Sequence, residues 1–142
     1  RAYFGEKDWQ QVCVVRRLVA DLSLPVEVVA CPTHREDDGL ARSSRNVYLS
    51  PDERAAAPVL RRALGAGAAV IVGGERDPAV VEAEMARVVA REPLVDLDYA
   101  AAVDAATLAP IDVLAGEVRL LIAARVGRPR LLDNIGVTVG QG

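Results

Sequence analysis

The sequence predicts an α/β protein in two parts. A strand–helix–strand unit occupies residues 1–34, and a small α+β domain with two helices and a three-stranded antiparallel sheet occupies 35–142. Three observations carry this reading. Near the start, apolar residues recur at helical spacing between two short β-rich segments. A helix-start signature at Ser50-Pro51 follows a long aperiodic stretch. The final third reads as three strands set off by turn signals, the first of them alternating apolar and polar residues.

Ala2-Tyr3-Phe4-Gly5 reads as the end of a buried strand. Trp9, Val12, Cys13, Val15, Val19 and Leu22 then share one helical face, with Asp8 placed to cap the helix. Pro25 ends that unit, and Val26 to Ala30 forms the next strand. A strand that ends in a glycine turn where a helix begins is where ligands sit in a parallel α/β sheet. From Pro32 to Ser50 periodicity vanishes, a length of loop that is often functional. Ser50, Pro51 and Glu53 then make a capping box. The helix they start runs through Leu60 and Leu64, is kinked by Pro58 and is broken at Gly73-Gly74. Asp77-Pro78 opens another helix, and Pro93 closes it. Val95, Leu97 and Tyr99 alternate with Asp96 and Asp98, which predicts one apolar strand face. Val118 to Ala124 is a second strand, Gly127-Arg128-Pro129 a turn, and Leu131 to Val139 a third strand.

Composition excludes several classes. A chain of 142 residues, 51% of them hydrophobic, buries roughly 68–70% of its unfolded surface and needs no disulfide or metal to fold. Lys+Arg 17 against Asp+Glu 20, a net charge of -3, lacks the basic excess of a duplex-binding domain, so no nucleic-acid partner is expected. Uninterrupted apolar runs such as Ala68 to Val72 fall short of the ~18 residues of a membrane span, so no membrane partner is expected, and no targeting signal opens the chain. Cys13 and Cys31 with the single histidine, His34, make no zinc pattern, and two buried thiols in a reducing cytoplasm are the expectation. The first residue is Arg1, with no start methionine, which suggests a piece of something longer.

Two segments carry candidate chemistry. In Phe4-Gly5-Glu6-Lys7-Asp8-Trp9-Gln10-Gln11, the glycine admits close approach of a ligand, and the only lysine of the chain stands near a helix N-terminus, well placed for a phosphate. A neighbouring carboxylate suits ribose hydroxyls. A solvated Lys7–Asp8 pair, with Asp8 only capping, fits the same residues. In Gly39-Leu40-Ala41-Arg42-Ser43-Ser44-Arg45-Asn46, adjacent hydroxyls, backbone N–H groups and guanidiniums suit an anion, and they equally suit a polar loop before a helix. It is not a Walker loop.

Phe4-Gly5-Glu6-Lys7-Asp8 with Gln10-Gln11, then Asp38-Gly39-Leu40-Ala41 with Ser43-Ser44-Arg45-Asn46, then Tyr48-Leu49-Ser50 and the late Leu131-Leu132-Asp133-Asn134-Ile135, resemble the pantothenate synthetase (pantoate–β-alanine ligase) family, its C-terminal half. The resemblance implies that residues 1–34 are the remnant of a Rossmann-like nucleotidyltransferase sheet and that 35–142 is a lid. It implies a ligase that condenses pantoate with β-alanine through a pantoyl adenylate, using ATP and Mg²⁺, in the cytoplasm, with a homodimeric parent. Carried over by motif, Gly5 and Asp8 hold the ribose, within a nucleotide-binding stretch that includes Glu6. Lys7 faces the phosphates, and Gln11 binds pantoate. Ser43, Ser44 and Arg45 hold the ATP phosphates, and backbone groups near His34 and Arg42 meet adenine. Lys7, Ser43, Ser44 and Arg45 are the catalytic set. Arg42 replaces the family's usual Met or Leu, and His34 an aliphatic residue. The family's His-x-Gly-His signature and its metal-associated acidic residues are expected in an N-terminal half outside this sequence, so the chain alone is expected to be inactive. Adenylyl transfer to another acceptor, or a non-catalytic isolated domain, are the alternatives.

Overall fold

The structure, a computed structural model, describes residues 1–140; residues 141 and 142, where the expected second unit ends, lie outside the described residues. The strands β1 (Ala2–Gly5) and β2 (Val28–Cys31) pair in parallel, from Ala2↔Val28 to Gly5↔Cys31. A parallel pair needs a crossover, and α1 (Trp9–Asp21) supplies it. Between β1 and α1 the chain makes a 3-10 turn, Glu6–Asp8. Asp8 caps α1 as expected, its carboxylate accepting from the Gln11 N–H at 3.4 Å. The helix ends with Ser23 at φ 50 and the Leu24 N–H donating back to the Val19 carbonyl at 3.0 Å, a left-handed C-cap followed by Pro25. Cys13 and Cys31 are free and only half-buried, not fully buried as expected.

Helices α2 (Pro51–Ala56) and α3 (Val59–Val72) are one apolar run split at Pro58, whose missing N–H and ring stop the first segment. The predicted capping box is complete, with Ser50 and Glu53 each bonding the other's backbone. Together Pro51–Val72 is 22 residues, and an 18-residue window within it reaches mean hydropathy 1.4, long and apolar enough to cross a membrane by length and composition. This corrects the expectation drawn from uninterrupted runs alone. Half of that window is buried inside the fold, as in the core helix of a globular domain. Helix α4 (Pro78–Val89) starts at the Asp77 cap and buries Val81, Met85 and Val89, one face at four-residue spacing.

The strands β3 (Val95–Asp104), β4 (Gly116–Val126) and β5 (Arg130–Val139) form an antiparallel sheet in the order β3-β4-β5. One face packs Val118, Leu120, Ile122, Leu131 and Val137 against Leu60, Leu64, Ile71 and Met85 of the helices. The other face receives the start of α1: Trp9 is buried and donates Nε1–H to the Ala105 carbonyl at 2.8 Å. Both faces of β4 are therefore covered, so Val118 to Ala124 reads as a continuous buried run and not as an alternation.

β3 departs from its predicted pattern. A register shift between Leu97 and Tyr99 inserts one extra residue, with Leu97 opposite Ala124 and Tyr99 opposite Ala123. Side-chain period in a strand is two, so the bulge moves Tyr99 to the α1 side while Val95, Leu97, Ala100 and Ala102 face the helices.

Helix α3 crosses the sheet closely at Gly67, where an added Cβ would lie 2.9 Å from Met85 Cγ and 3.1 Å from Leu120 Cδ1. Gly67→Val is expected to cost about 1–3 kcal/mol by overpacking. In Gly67→Ala the helix-propensity gain of about 1 kcal/mol offsets much of the crowding. Urea unfolding of both variants measures the difference, and equal midpoints would contradict this packing.

Candidate active site

The turn that carries Lys7 is held by the sheet, not by its own side chains. Asn134 on β5 donates both amide hydrogens, to the Glu6 and Lys7 carbonyls, at 2.9 Å each. Its Oδ1 accepts from Arg119 Nε at 2.9 Å. The Arg119 guanidinium lies 3.7 Å from the centre of the Trp9 ring and 3.4 Å from the Glu6 carboxylate. Burial holds its pKa below the ordinary arginine value, against the pull of Glu6. An added Cβ at Gly136 would come within 2.6 Å of Arg119 Nη1, so the glycine leaves room for this guanidinium.

The segment carrying the second motif is folded back on itself. Arg35 and Ala41 form an antiparallel bridge, the Arg42 N–H donates to the His34 carbonyl at 2.9 Å, and Gly39 turns at φ 94. Arg35 then ties this loop to the sheet. Its guanidinium makes a bidentate pair with Asp133 at 2.6 and 2.9 Å and donates to the Gly39 carbonyl at 3.0 Å. Asp133 is almost fully buried, with 3% of its side chain exposed against 21% for Arg35. On the outer side Arg54 grips Asp38 at 2.7 and 3.2 Å. Past the loop, Ser44–Tyr48 is a 3-10 helix where the sequence suggested irregular chain, with the Ser43 hydroxyl accepting from the Arg45 N–H at 3.2 Å.

These two segments meet at a cleft. Lys7, Ala41, Ser43 and Asn46 line it with Arg61 of α3 and Arg130 and Asp133 of β5. Lys7 and Arg61 enter no ion pair among the described residues. Arg130 is shared with Asp98 at 2.7 Å. Asn46 donates to the Ala41 carbonyl at 3.1 Å, while its Oδ1 is buried with no partner among the described residues. Asp8 borders an adjoining hollow with Trp9, Gln10, Tyr99 and Asn134.

Lys7 and Ser43, predicted from separate motifs, thus share one opening. The other expected residues are distributed around it. Arg45 is exposed and donates to the Arg130 carbonyl at 3.0 Å, and Ser44 is exposed beside it. Gly5 and Gln11 are exposed at the two ends of the Lys7 turn. The Glu6 carboxylate faces Arg119. His34 is exposed, and Arg42 reaches Glu36 at 3.4 Å with a largely solvated side chain. Among the described residues no group of three His, Cys, Asp or Glu side chains is placed to hold a metal. Residue-level reasoning missed Asn46, Arg61, Arg119 and Arg130. Arg119 carried a signal, as the one charge inside the apolar run Val118 to Ala124. Arg61 carried none, because an arginine beside a buried helical stripe is ordinary.

A parallel strand–turn–helix whose lysine shares a cleft with a serine loop and two arginines defines an α/β protein with a basic opening. The chain matches the family model for pantoate-beta-alanine ligase over residues 1–136 and belongs to that family. It is 56% identical over 135 residues to a pantothenate synthetase of Rubrobacter xylanophilus, covering 94% of this chain and 46% of that protein. The crystal structure of pantothenate synthetase from Thermus thermophilus superposes with a TM-score of 0.90 at 49% identity, over 95% of this chain and 49% of that one. A pantoate-beta-alanine ligase from Francisella tularensis, complexed with beta-gamma ATP and beta-alanine, matches with a TM-score of 0.59 at 25% identity, over 99% of this chain and 44% of that one. The chain spans about half the length of the curated relatives it matches.

Two outcomes follow from the loop contacts. Asp133→Ala leaves the Arg35 guanidinium without its partner and is expected to cost about 3 kcal/mol in urea unfolding, the lower end for a buried pair because Arg35 keeps some solvent contact. The hydrogen bond from Arg54, with a further one from the Leu40 N–H, holds the Asp38 carboxyl below its ordinary pKa. That contribution is present in full above the unfolded value of about 3.9 and is lost as pH falls through the lower folded value. Exchange protection of the Leu40 amide is therefore expected to persist at neutral pH and to weaken in that acid range. Protection that does not change with pH would contradict the role of the pair.

Proposed function

We propose that this chain is the Lys7-bearing half of an ATP-dependent ligase that joins pantoate to β-alanine. The observation that carries the reading is the convergence of Lys7, Ser43 and Arg61 on one cleft, two of them cations without ion pairs among the described residues. In the first step a pantoate carboxylate oxygen bonds to the α-phosphorus of ATP and the bond to the β-phosphate oxygen breaks, releasing pyrophosphate. In the second, the β-alanine amine bonds to the acyl carbon, AMP leaves with the electron pair, and the amine gives up a proton. The products are pantothenate and AMP.

Neither step needs a protein nucleophile. Both need reactants held in line and cations where negative charge builds. Lys7 supplies a compact charge to the phosphates, Ser43 and Ser44 hydroxyl and backbone donors, and Arg45 a guanidinium that must leave the Arg130 carbonyl to reach them. Gly5 and Asp8 face the ribose, and Glu6 completes this nucleotide stretch with its carboxylate engaged by Arg119. Gln11 takes pantoate, and backbone groups around His34 and Arg42 take adenine. Arg61 is a further cation for the phosphates. Mg²⁺ arrives with ATP. The described residues offer it no carboxylate cluster, and no role assigned to them runs through the metal. The Francisella relative, complexed with beta-gamma ATP and beta-alanine, supports the choice of substrates. The setting is cytoplasmic and the complete enzyme a homodimer.

The activity requires the half of the relatives that this chain does not span. Alone, the chain is expected to release no AMP. Joined in cis to the remaining half of the Rubrobacter xylanophilus relative, it is expected to catalyse pantoate-dependent ATP–pyrophosphate exchange and β-alanine-dependent AMP release. A folded hybrid without either activity would overturn the reading, and exchange with another acid but not pantoate would favour a different acceptor. In the active hybrid Lys7→Ala is expected to lower exchange about 10²–10³-fold. Arg61→Ala is expected to raise the KM for ATP about tenfold, the size of one charged hydrogen bond.

A further inference from the structure

We infer that Asn134 is a positioning residue for Lys7, acting through the backbone of the turn and not through substrate; the inference rests on the ligase reading above. Asn134 is 5% exposed, and its side chain makes three hydrogen bonds, one from each amide hydrogen and one to Oδ1. Its two donors grip consecutive carbonyls, those of Glu6 and Lys7, so each of the two peptide planes that flank the Lys7 Cα is held. The Lys7 side chain has no ion pair of its own among the described residues, so the location of its ammonium depends on where this backbone is held.

The clamp is itself immobilised. Arg119 bonds Asn134 Oδ1, stacks on Trp9 and pairs with Glu6, and Gly136 leaves the space it occupies. The neighbour of Asn134 in sequence, Asp133, makes the bidentate pair with Arg35 that sets the loop leading to Ser43. Residues 133 and 134 point to opposite sides of β5, so one strand segment fixes the Lys7 turn with one side chain and the serine loop with the next. Loss of the Asn134 amide lets the turn shift relative to Ser43, and a displacement near 1 Å is enough to lower a rate about 100-fold.

The test is a double-mutant cycle in the active hybrid, with pyrophosphate exchange as the readout. Asn134→Ala is expected to lower kcat about 10–100-fold while the KM for ATP changes less than about threefold, because ground-state contacts survive and alignment does not. In a Lys7→Ala background the same substitution is expected to lower kcat less than about twofold further, since the group it positions is gone. Asn134→Asp keeps the acceptor for Arg119 and removes both donors, so it provides the same test should the alanine variant not fold. It is expected to lower kcat at least as far as the alanine variant, and to lower the unfolding temperature because its carboxylate faces the Glu6 and Lys7 carbonyls, so both variants are assayed below their unfolding transitions. Losses that multiply in the double variant, or a wild-type kcat in Asn134→Asp, overturn the inference. If Lys7→Ala itself exchanges like the parent, the ligase reading of this site fails as well. A large Lys7 effect with multiplying Asn134 losses removes only the positioning role.

Discussion

Two adjacent side chains on β5 carry the geometry of the whole opening. Asp133 and Asn134 leave the strand on opposite sides, one toward the loop of Arg35 and Gly39, the other toward the turn of Glu6 and Lys7. The separation of the two motif segments is therefore set by the pleat of a single strand and not by packing between two independent bodies. Pairing with β4 at Leu121↔Asn134 and Ile122↔Asp133 holds both residues in register, and the Asn134 N–H donates to the Asp133 carboxylate at 2.8 Å, which leaves this stretch of strand little freedom. The sheet core that holds β5 in place thereby becomes part of the site, although its buried apolar side chains face the helices.

That arrangement demands polar groups where water is scarce. Arg119, Asp133 and Asn134 are the buried polar residues among those described, and each is paired. An unpaired charge there would be strongly destabilising, whereas a fully bonded network fixes one arrangement of the chain. Arg119 illustrates the balance. Burial disfavours its charged form, and the Glu6 carboxylate, the Asn134 carbonyl and the Trp9 face restore what water would have given. The same residues join the strand–helix–strand unit to the antiparallel sheet, so cohesion and alignment are one set of contacts.

Much of this was legible in the sequence where the information is local. Capping at Asp8, Ser50 and Asp77 and the turn at Gly127 depend on neighbours within a few residues, and each was read correctly; Pro58 was placed as the point of interruption, though it splits the helix where a kink was expected. Lys7 and Ser43 were found because their surroundings are short, polar and glycine-bearing. The failures have the opposite character. The bulge that turns Tyr99 away from Leu97 is a property of pairing with β4, and nothing within β3 announces it. Arg61 reaches the cleft only because the start of α3 lies beside Gly39 of the loop. The Asn134 clamp spans 127 residues of sequence to Lys7, a distance at which spacing carries no signal. Only likeness to the family marked Asp133 and Asn134, and it gave them no physical task.

The bonds from Asn134 and Trp9 end on main-chain oxygens, those of Glu6, Lys7 and Ala105. Main-chain oxygens are the same whatever side chain sits on them. The fold thus separates placement from chemistry: the turn is located by atoms that substitution at positions 7 or 105 leaves untouched, whereas the Glu6 side chain belongs to the clamp through Arg119. The side chain at position 7 can change without loosening the scaffold that aims it. Drift at position 7 is therefore free to tune charge and reach at the cleft, while drift at position 134 acts on location.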